Sequence, residues 1–311
     1  MLRTKSLILA VAAVGILGGG ALVAVGMTGN SGAGGEGGGK ALSGVFGGTS
    51  APTASPTPTG PSPQELRKIE YAKRTKSLDA ALKKYSAAAP EFSVAVLNKK
   101  TGETYAYRGS ETYETASIVK VQVLACLLLK AQDGQRDLTA SEKERAGRMI
   151  RASDNDATTS LFTQLGGASA VNRSNKKLGL KQTRVNQSWG LTKTTVSDQV
   201  KLLGQLVNTK GPLNEKSRGI AKELMSSVNA DQDWGVPAAA TKGDNFLVKN
   251  GWLARSTEGN RWIINTVGRV STDDGKTDVS IAVLSHNNAD MPGGIAVVEK
   301  VAKMTRQYLK Y

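Results

Sequence analysis

Strand-like runs lie towards both ends of this chain, and a long helical stretch separates them. Phe92–Leu97 and Thr104–Tyr107 predict a hairpin that turns at Lys100–Gly102. Residues 117 to about 230 then carry mainly helical spacing. Strand-like runs return at Phe246–Val248, Trp262–Val267 and Val279–Leu284. This order predicts one sheet whose sequence is interrupted by a helical insertion, with a cleft between the two parts.

Helical patterns also begin and close the foldable region, from Gln64 to about Tyr85 and from about Gly294 to Leu309. The sequence therefore predicts a domain over residues 64–311. Its α/β part should comprise about 64–116 and 236–311, and its helical part about 117–235.

The first 26 residues read as a targeting segment. Arg3 and Lys5 precede an apolar run from Leu7 to about Val25, which is typical of an export signal. Ala24–Gly26 could be cleaved, yet the run is nearly as long as the roughly 20 residues that cross a membrane. A signal peptide and a membrane anchor both remain open, and either predicts an extracellular or cell-surface protein.

Residues 27–63 are mostly Gly, Ser, Thr, Ala and Pro. Such a segment cannot bury enough apolar surface to fold, so it predicts a disordered linker that holds the domain away from a membrane or wall.

The chain is strongly basic, with 41 Lys and Arg against 26 Asp and Glu in 311 residues, a formal charge of +15. This balance suits an anionic cell-wall or membrane surface. No basic run is interleaved with aromatic residues, so nucleic acid is not an expected partner. We expect a monomer.

The lone cysteine and the lone histidine limit the available chemistry. Cys126 excludes an intrachain disulfide and lies far from the leader, in an apolar run where a buried, inert thiol is expected. His286 follows a strand-like run and is expected to be structural, and the pair cannot build a typical zinc site. We predict neither a metal nor a cofactor.

Ser117 and Lys120 open the apolar segment 121–129. If that segment is helical, the two side chains lie one turn apart on one face, where a neutral amine could take the serine proton. Unpaired N–H groups at the helix start could also stabilise an oxyanion. The alternative is an ordinary N-cap serine and an exposed lysine.

Two further segments carry polar side chains at element ends. Ser153-Asp154-Asn155 precedes a helical run, and Lys249-Asn250-Gly251-Trp252 follows an apolar pair at a strand end. Taken singly, the first fits helix capping and the second fits a solvated strand edge.

Together, S-x-x-K at Ser117–Lys120, S-D-N at Ser153–Asn155 and K-x-G at Lys249–Gly251 resemble the ordered motifs of class A β-lactamases and penicillin-binding proteins. Flanking residues in Glu114–Val121 and Ser153–Gly167 are similar to the same segments of class A enzymes, and the resemblance spans about Ala72 to the C-terminus. It implies an α/β (α+β) fold of the β-lactamase/transpeptidase type, with an antiparallel sheet flanked by helices and an inserted all-helical subdomain.

The resemblance also implies roles for the matching residues. Ser117 would be acylated, Lys120 would assist as base, and Ser153 would pass a proton to the leaving nitrogen. Asn155 would orient Lys120 and the substrate amide, Lys249 would attract a substrate carboxylate, and the N–H groups of Ser117 and Trp252 would form an oxyanion hole. The substrate-binding residues would be Asn155, Lys249, Asn250, Gly251 and Trp252.

This sequence departs from class A enzymes in three places. The stretch Thr183–Leu191 contains no acid where those enzymes carry a deacylating glutamate, and Asn250 replaces the usual Thr or Ser. The interval from Lys120 to Ser153 is also short, which would remove an aromatic wall of the cleft. Three other acids, Glu111, Glu114 and Glu258, are expected on the surface.

Three functions therefore remain open. The first is an exported serine acyl hydrolase that acts on a β-lactam or a related small amide or ester. The second is a D-alanyl-D-alanine peptidase acting on peptidoglycan, favoured by export, charge and the missing glutamate. The third is a penicillin-binding or wall-sensing module without turnover. The presence of every motif residue favours an enzyme.

Overall fold

The structure is a computed structural model that describes residues 60–311. The expected targeting segment and nearly all of the expected linker lie outside the described residues. Within 60–311, no helix is both long and apolar enough to cross a membrane.

A five-stranded antiparallel sheet forms the centre of the domain. Its strands are β1 (Phe92–Asn98), β2 (Thr104–Tyr107), β5 (Asn245–Arg255), β6 (Arg261–Ser271) and β7 (Asp278–Asn288), in the order β2-β1-β7-β6-β5. Strands β3 (Tyr113–Glu114) and β4 (Lys193–Thr194) form a separate two-stranded pair. This confirms the prediction of one sheet whose strands are separated in the sequence by a helical insertion.

Helices cover both faces of this sheet. They are α1 (Pro63–Ser86), α2 (Val119–Asp133), α3 (Ala140–Arg151), α4 (Asn155–Leu165), α5 (Gly167–Leu178), α6 (Val196–Gln205), α7 (Glu215–Met225) and α8 (Met291–Leu309). Six of them, α2 to α7, come between β3 and β5 in the chain, as the helical insertion predicts.

Side chains that alternate along each strand of the sheet pack into two different hydrophobic cores, one on each face of the sheet. Val94 and Val96 of β1 pack with Leu78 of α1 and Val298 of α8, whereas Ala95 points to the opposite face and joins the core of the helical part. Successive strand residues point to opposite faces, so both faces of the sheet are buried.

Helix α2 is apolar around most of its circumference and is the central helix of the insertion. Its side chains from Val121 to Leu129 are at most 3% exposed, including Cys126. Burial raises the pKa of the Cys126 thiol to about 12, which fits the inert thiol expected from the sequence. Because α2 is fixed on all sides, the residues at its N-terminal end are held firmly.

Candidate active site

Ser117 lies in a short 3-10 turn, Ala116–Ile118, that leads directly into α2. Ala116 and Ile118 are buried, whereas Ser117 is half-buried and lines a cleft. Ala116 adopts a left-handed backbone conformation with φ of 45°. The turn thus leaves one hydroxyl open to the cleft at the start of a buried helix.

Strands β5 and β6 hold this turn in place. A Cβ on Gly251 would lie 2.7 Å from Ser117 N and 2.8 Å from Thr115 O, so only glycine lets β5 approach this closely. From β6, Asn265 Nδ2 donates to Glu114 O at 2.8 Å and to Thr115 O at 3.0 Å. Sequence reasoning missed Asn265, because nothing in its local pattern links it to a turn 150 residues away.

Lys120 is fully buried one turn beyond Ser117. Its Nζ donates to Ser153 O at 2.6 Å, Ser153 Oγ at 3.0 Å and Asn155 Oδ1 at 2.9 Å. Burial lowers the pKa of Lys120 to about 8, partly opposed by the charge of Asp154. A neutral amine at Lys120 is therefore accessible near physiological pH.

Ser153 connects the two buried lysines. Its Oγ accepts one hydrogen bond from Lys120 Nζ and one from Lys249 Nζ, each at 3.0 Å. Asp154 Oδ1 caps α4 by accepting from Ala157 N at 2.7 Å, which holds the segment at the helix start. Since a hydroxyl has two lone pairs and one proton, the Ser153 proton remains free to donate to another group.

Lys249 extends from the middle of β5 and is 1% exposed. Besides Ser153, its Nζ donates to Asn250 O at 2.9 Å and Gln232 Oε1 at 3.4 Å. Burial, together with the nearby charge of Lys120, holds the pKa of Lys249 well below its usual value. Gln232 reaches the site from the end of a short 3-10 turn, Ala230–Gln232, and no sequence motif predicted its role.

Asn250 lies beside the site but directs its amide donors elsewhere. Its Nδ2 donates to Gln232 O at 2.8 Å and Trp234 O at 2.9 Å, and the residue is 1% exposed. The side chain therefore fastens the 232–234 loop to β5. The indole of Trp252 lies 6.1 Å from that of Trp234, and Trp252 also lines the cleft.

The cleft has a volume of about 330 Å³ and a largely apolar wall. It is lined by Ala116, Ser117, Asn155, Ser188, Trp189, Gly190, Leu191, Trp252 and Leu253. A small acyl compound fits a space of this size and character.

The loop without an acid contributes an indole. Trp189 lies over Lys120, with 5.0 Å between Nζ and the ring centroid, and its Nε1 donates to Thr159 Oγ1 at 3.2 Å. Sequence reasoning noted the absence of a carboxylate in this loop but gave Trp189 no role.

The other acids considered from the sequence are engaged elsewhere. The surface position expected for Glu114 is wrong: it is 7% exposed and pairs with Lys193 at 3.0 Å and Arg255 at 3.2 Å. Burial is tolerated because two cations compensate its charge. Glu111 and Glu258 are exposed, as expected.

His286 lies outside the cleft, and its Nε2 is 2.6 Å from Glu91 Oε2. Residues 60–311 contain no group of three His, Cys, Asp or Glu side chains placed to hold a metal ion.

Fold and motif residues together define the class of serine hydrolases that includes the β-lactamases and penicillin-binding proteins. The β-lactamase enzyme family matches residues 73–145 and 140–309, which is most of the chain. The protein belongs to that family.

Solved structures show the same fold at low sequence identity. The TLA-3 extended-spectrum β-lactamase aligns with a TM-score of 0.68 and 18% identity over 76% of this chain and 100% of its own. An ancestral class A β-lactamase aligns with a TM-score of 0.64 and 21% identity, over 74% of this chain and 99% of its own. A PBP-A variant, solved as its acyl-enzyme with penicillin G, aligns with a TM-score of 0.66 and 18% identity, over 77% of this chain and 97% of its own.

A curated relative is "Putative lipoprotein LppW" of Mycobacterium tuberculosis, with the same match in Mycobacterium bovis. It is 25% identical over 189 residues, which is 58% of this chain. The match spans 59% of the relative's length.

Proposed function

We propose that this protein is an exported serine acyl hydrolase that is acylated at Ser117 by a β-lactam or a related small amide or ester. The observation that carries the proposal is the shared hydroxyl of Ser153, which accepts from Lys120 and Lys249. Asn155, which also accepts from Lys120, lines the same cleft as Ser117. Ser117, one turn before Lys120, would supply the nucleophile, Lys120 the base and Ser153 the proton donor.

Acylation would begin with Lys120 in its neutral form. Its amine takes the Ser117 proton while Ser117 Oγ attacks the carbonyl carbon of the substrate. The N–H groups of Ser117 and Trp252 stabilise the developing oxyanion; loss of one such donor usually costs about 100-fold or more in rate.

Collapse of that intermediate would break the carbon–nitrogen bond of an amide substrate. Ser153 donates its free proton to the leaving nitrogen and takes a proton back from the Lys120 ammonium. Lys120 is then neutral again, so the proton removed from Ser117 has moved to the product. Lys249 attracts a substrate carboxylate, and Asn155 orients Lys120 through Oδ1.

A second candidate is a D-alanyl-D-alanine peptidase or a penicillin-binding sensor. It is favoured because the loop over the cleft presents Trp189 to Lys120 and carries no acid. A positioned general base usually raises the reaction rate by about 100-fold to 10,000-fold, so an acyl-enzyme without such a base for hydrolysis should persist.

Cell-surface location is part of the proposal. It is supported by the basic chain, the apolar leader at residues 1–26 and the linker at 27–63. The name of the relative LppW describes a lipoprotein, which is consistent with a membrane-associated position for that protein. We propose residues 64–311 as the catalytic domain.

Intact-protein mass spectrometry tests the proposal. The full-length protein is mixed with benzylpenicillin and followed over time, and we expect an adduct of the drug's mass. Ser117→Ala should abolish the adduct, whereas Ser188→Ala, which alters another serine of the same cleft, should keep it. An adduct that forms equally on Ser117→Ala would contradict the assignment.

The time course separates the two candidates. Rapid drug loss with a transient adduct indicates a hydrolase with turnover. An adduct that lasts for hours, together with release of D-alanine from muropeptides, indicates a peptidase.

A further inference from the structure

We propose that Trp189 makes the acyl-enzyme long-lived, because its indole covers the face of Lys120 from which a hydrolytic water would be activated. The inference rests on the proposed acylation at Ser117 and concerns the step that follows it. Trp189 acts through Lys120 and through exclusion of water, so it is a positioning residue.

The indole is fixed rather than loosely placed. Trp189 begins a 3-10 turn, Trp189–Leu191, and is half-buried. Its Nε1 donates to Thr159 Oγ1 of α4 at 3.2 Å. Because α4 begins at Asn155, the same helix that helps to orient Lys120 also orients the ring above it.

The surroundings of Lys120 Nζ leave little room for a water. The three hydrogen bonds of Nζ go to Ser153 O, Ser153 Oγ and Asn155 Oδ1. The Trp189 ring lies over Nζ as well, with its centroid 5.0 Å away. A general base must come within about 2.6–3.2 Å of the water it activates, and the ring occupies space that such a water would need.

The ring also acts on the charge of Lys120. An aromatic face attracts an ammonium and does not attract the neutral amine in the same way. Trp189 therefore favours the protonated form, which cannot accept a proton from water. Exclusion of water and stabilisation of the ammonium both slow hydrolysis of the ester on Ser117.

No carboxylate among the described cleft residues offers a second route. The lining residues contain no Asp or Glu, and Glu114 is held by Lys193 and Arg255. The charged groups that act on Lys120 are Asp154, whose Oδ1 caps α4, and Lys249, which shares Ser153 Oγ with it. We assign the base of deacylation to Lys120, because it lies one turn from Ser117, and Trp189 is the side chain that restrains it.

The test compares decay of the acyl-enzyme in variants of the full-length protein. After acylation with benzylpenicillin and removal of free drug, intact mass is followed over time. We expect Trp189→Ala to accelerate decay at least about tenfold, while acylation changes only a few-fold. Trp189→Phe keeps an aromatic face and should decay much more slowly than Trp189→Ala.

Two further variants separate this role from general loosening. Thr159→Val removes the acceptor for the indole N–H and should give an intermediate decay rate even if Trp189→Ala does not fold. Trp262→Ala, which alters a tryptophan of β6 that does not line the cleft, should leave decay unchanged.

The dependence of the decay rate on pH is a further measurement, which a general loosening of the fold around the cleft would not shift. Without the indole, Lys120 should lose its proton at lower pH, so the rise of the decay rate with pH should shift downward in Trp189→Ala. Normal acylation with unchanged decay and an unchanged profile in both Trp189→Ala and Thr159→Val would overturn the inference. Rapid drug loss with only a transient adduct on the unaltered protein would also overturn it, while leaving the proposed function standing. Absence of both an adduct and drug loss would instead refute the proposed function.

Discussion

The chemistry of the cleft depends on the protonation of two buried amines that share one acceptor. Lys120 and Lys249 both donate to Ser153 Oγ, and burial lowers the pKa of each. For Lys120 the lower pKa produces the base. For Lys249 it weakens the charge that would attract a carboxylate.

Acylation should therefore rise with pH. The neutral form of Lys120 is the base, and its pKa of about 8 places the rise around that pH in the free protein. Stopped-flow measurement of the second-order acylation rate of an activated, uncharged ester between pH 5 and 10 checks this. A rate that is flat between pH 6 and 9 would contradict the role of Lys120.

A substrate with a carboxylate should respond differently. As Lys249 loses its proton, attraction for the carboxylate falls, so the ratio of the benzylpenicillin rate to the uncharged-ester rate should decrease as pH rises. Lys249→Met should weaken this dependence of the ratio on pH. A ratio that stays constant across the range would argue against a carboxylate-binding role for Lys249.

At the scale of elements, the position of Ser117 depends on the approach of β5 to the turn. Gly251→Ala should place a methyl group against Ser117 N and Thr115 O and push strand and turn apart. We expect acylation to fall by about 100-fold or more, through loss of the oxyanion geometry. Stability should fall by about 1–3 kcal/mol through overpacking.

Gly219→Ala is the matched control for this change. Gly219 lies in α7, where an added Cβ meets nothing within 4 Å. That variant should acylate normally and be slightly more stable, since alanine favours helices. Acylation kinetics and thermal unfolding of both variants make the comparison, and equal behaviour would remove the proposed role of the β5 approach.

The sequence predicted which elements exist better than where they end. The runs expected at 246–248, 262–267 and 279–284 lie within strands of eleven residues each. The polar residues Lys249 and Ser285 follow directly after two of the expected runs, yet both are buried within the strands. Strands β3 and β4 have two residues each, too short for any periodic pattern.

The candidate site divides in the same way. Ser117, Lys120 and Ser153 belong to motifs whose order along the chain can be read directly. Trp189 lies in the stretch Thr183–Leu191, which the sequence associated with the cleft, but its contact with Lys120 arises only through tertiary packing. Asn265 reaches the site in the same way and has no neighbour in sequence that indicates the cleft. Side chains that position others at long range leave no local signal.

At the scale of the whole molecule, two hydrophobic cores meet across one sheet, and both lie in the part of the chain that the family match covers almost entirely. A protein shortened to residues 60–311 should therefore keep its unfolding temperature and its acylation rate. Differential scanning fluorimetry and the penicillin adduct assay measure both. A large loss of either would show that earlier residues contribute to the fold.

Shortening further, to residue 80, should behave differently. It removes Leu78, which is fully buried between α1 and the sheet, and more than half of α1. Loss of a buried leucine alone typically costs about 2–5 kcal/mol, so this protein should unfold at a clearly lower temperature. The pair of truncations thus locates the start of the cooperative unit.

Two residues at the reactive groups adopt a left-handed backbone conformation although neither is glycine. This conformation lowers the stability of the fold while it positions the reactive hydroxyls. Ala116 has φ of 45° and Ser153 has φ of 55°, and they lie immediately before Ser117 and Asp154. Such conformations store about 1–3 kcal/mol each, which the packing around α2 and α4 must offset. Substitutions that relax either residue would make the fold more durable while letting the hydroxyl of Ser117 or Ser153 drift. Selection for heat resistance alone would therefore be expected to erode acylation first at these two positions.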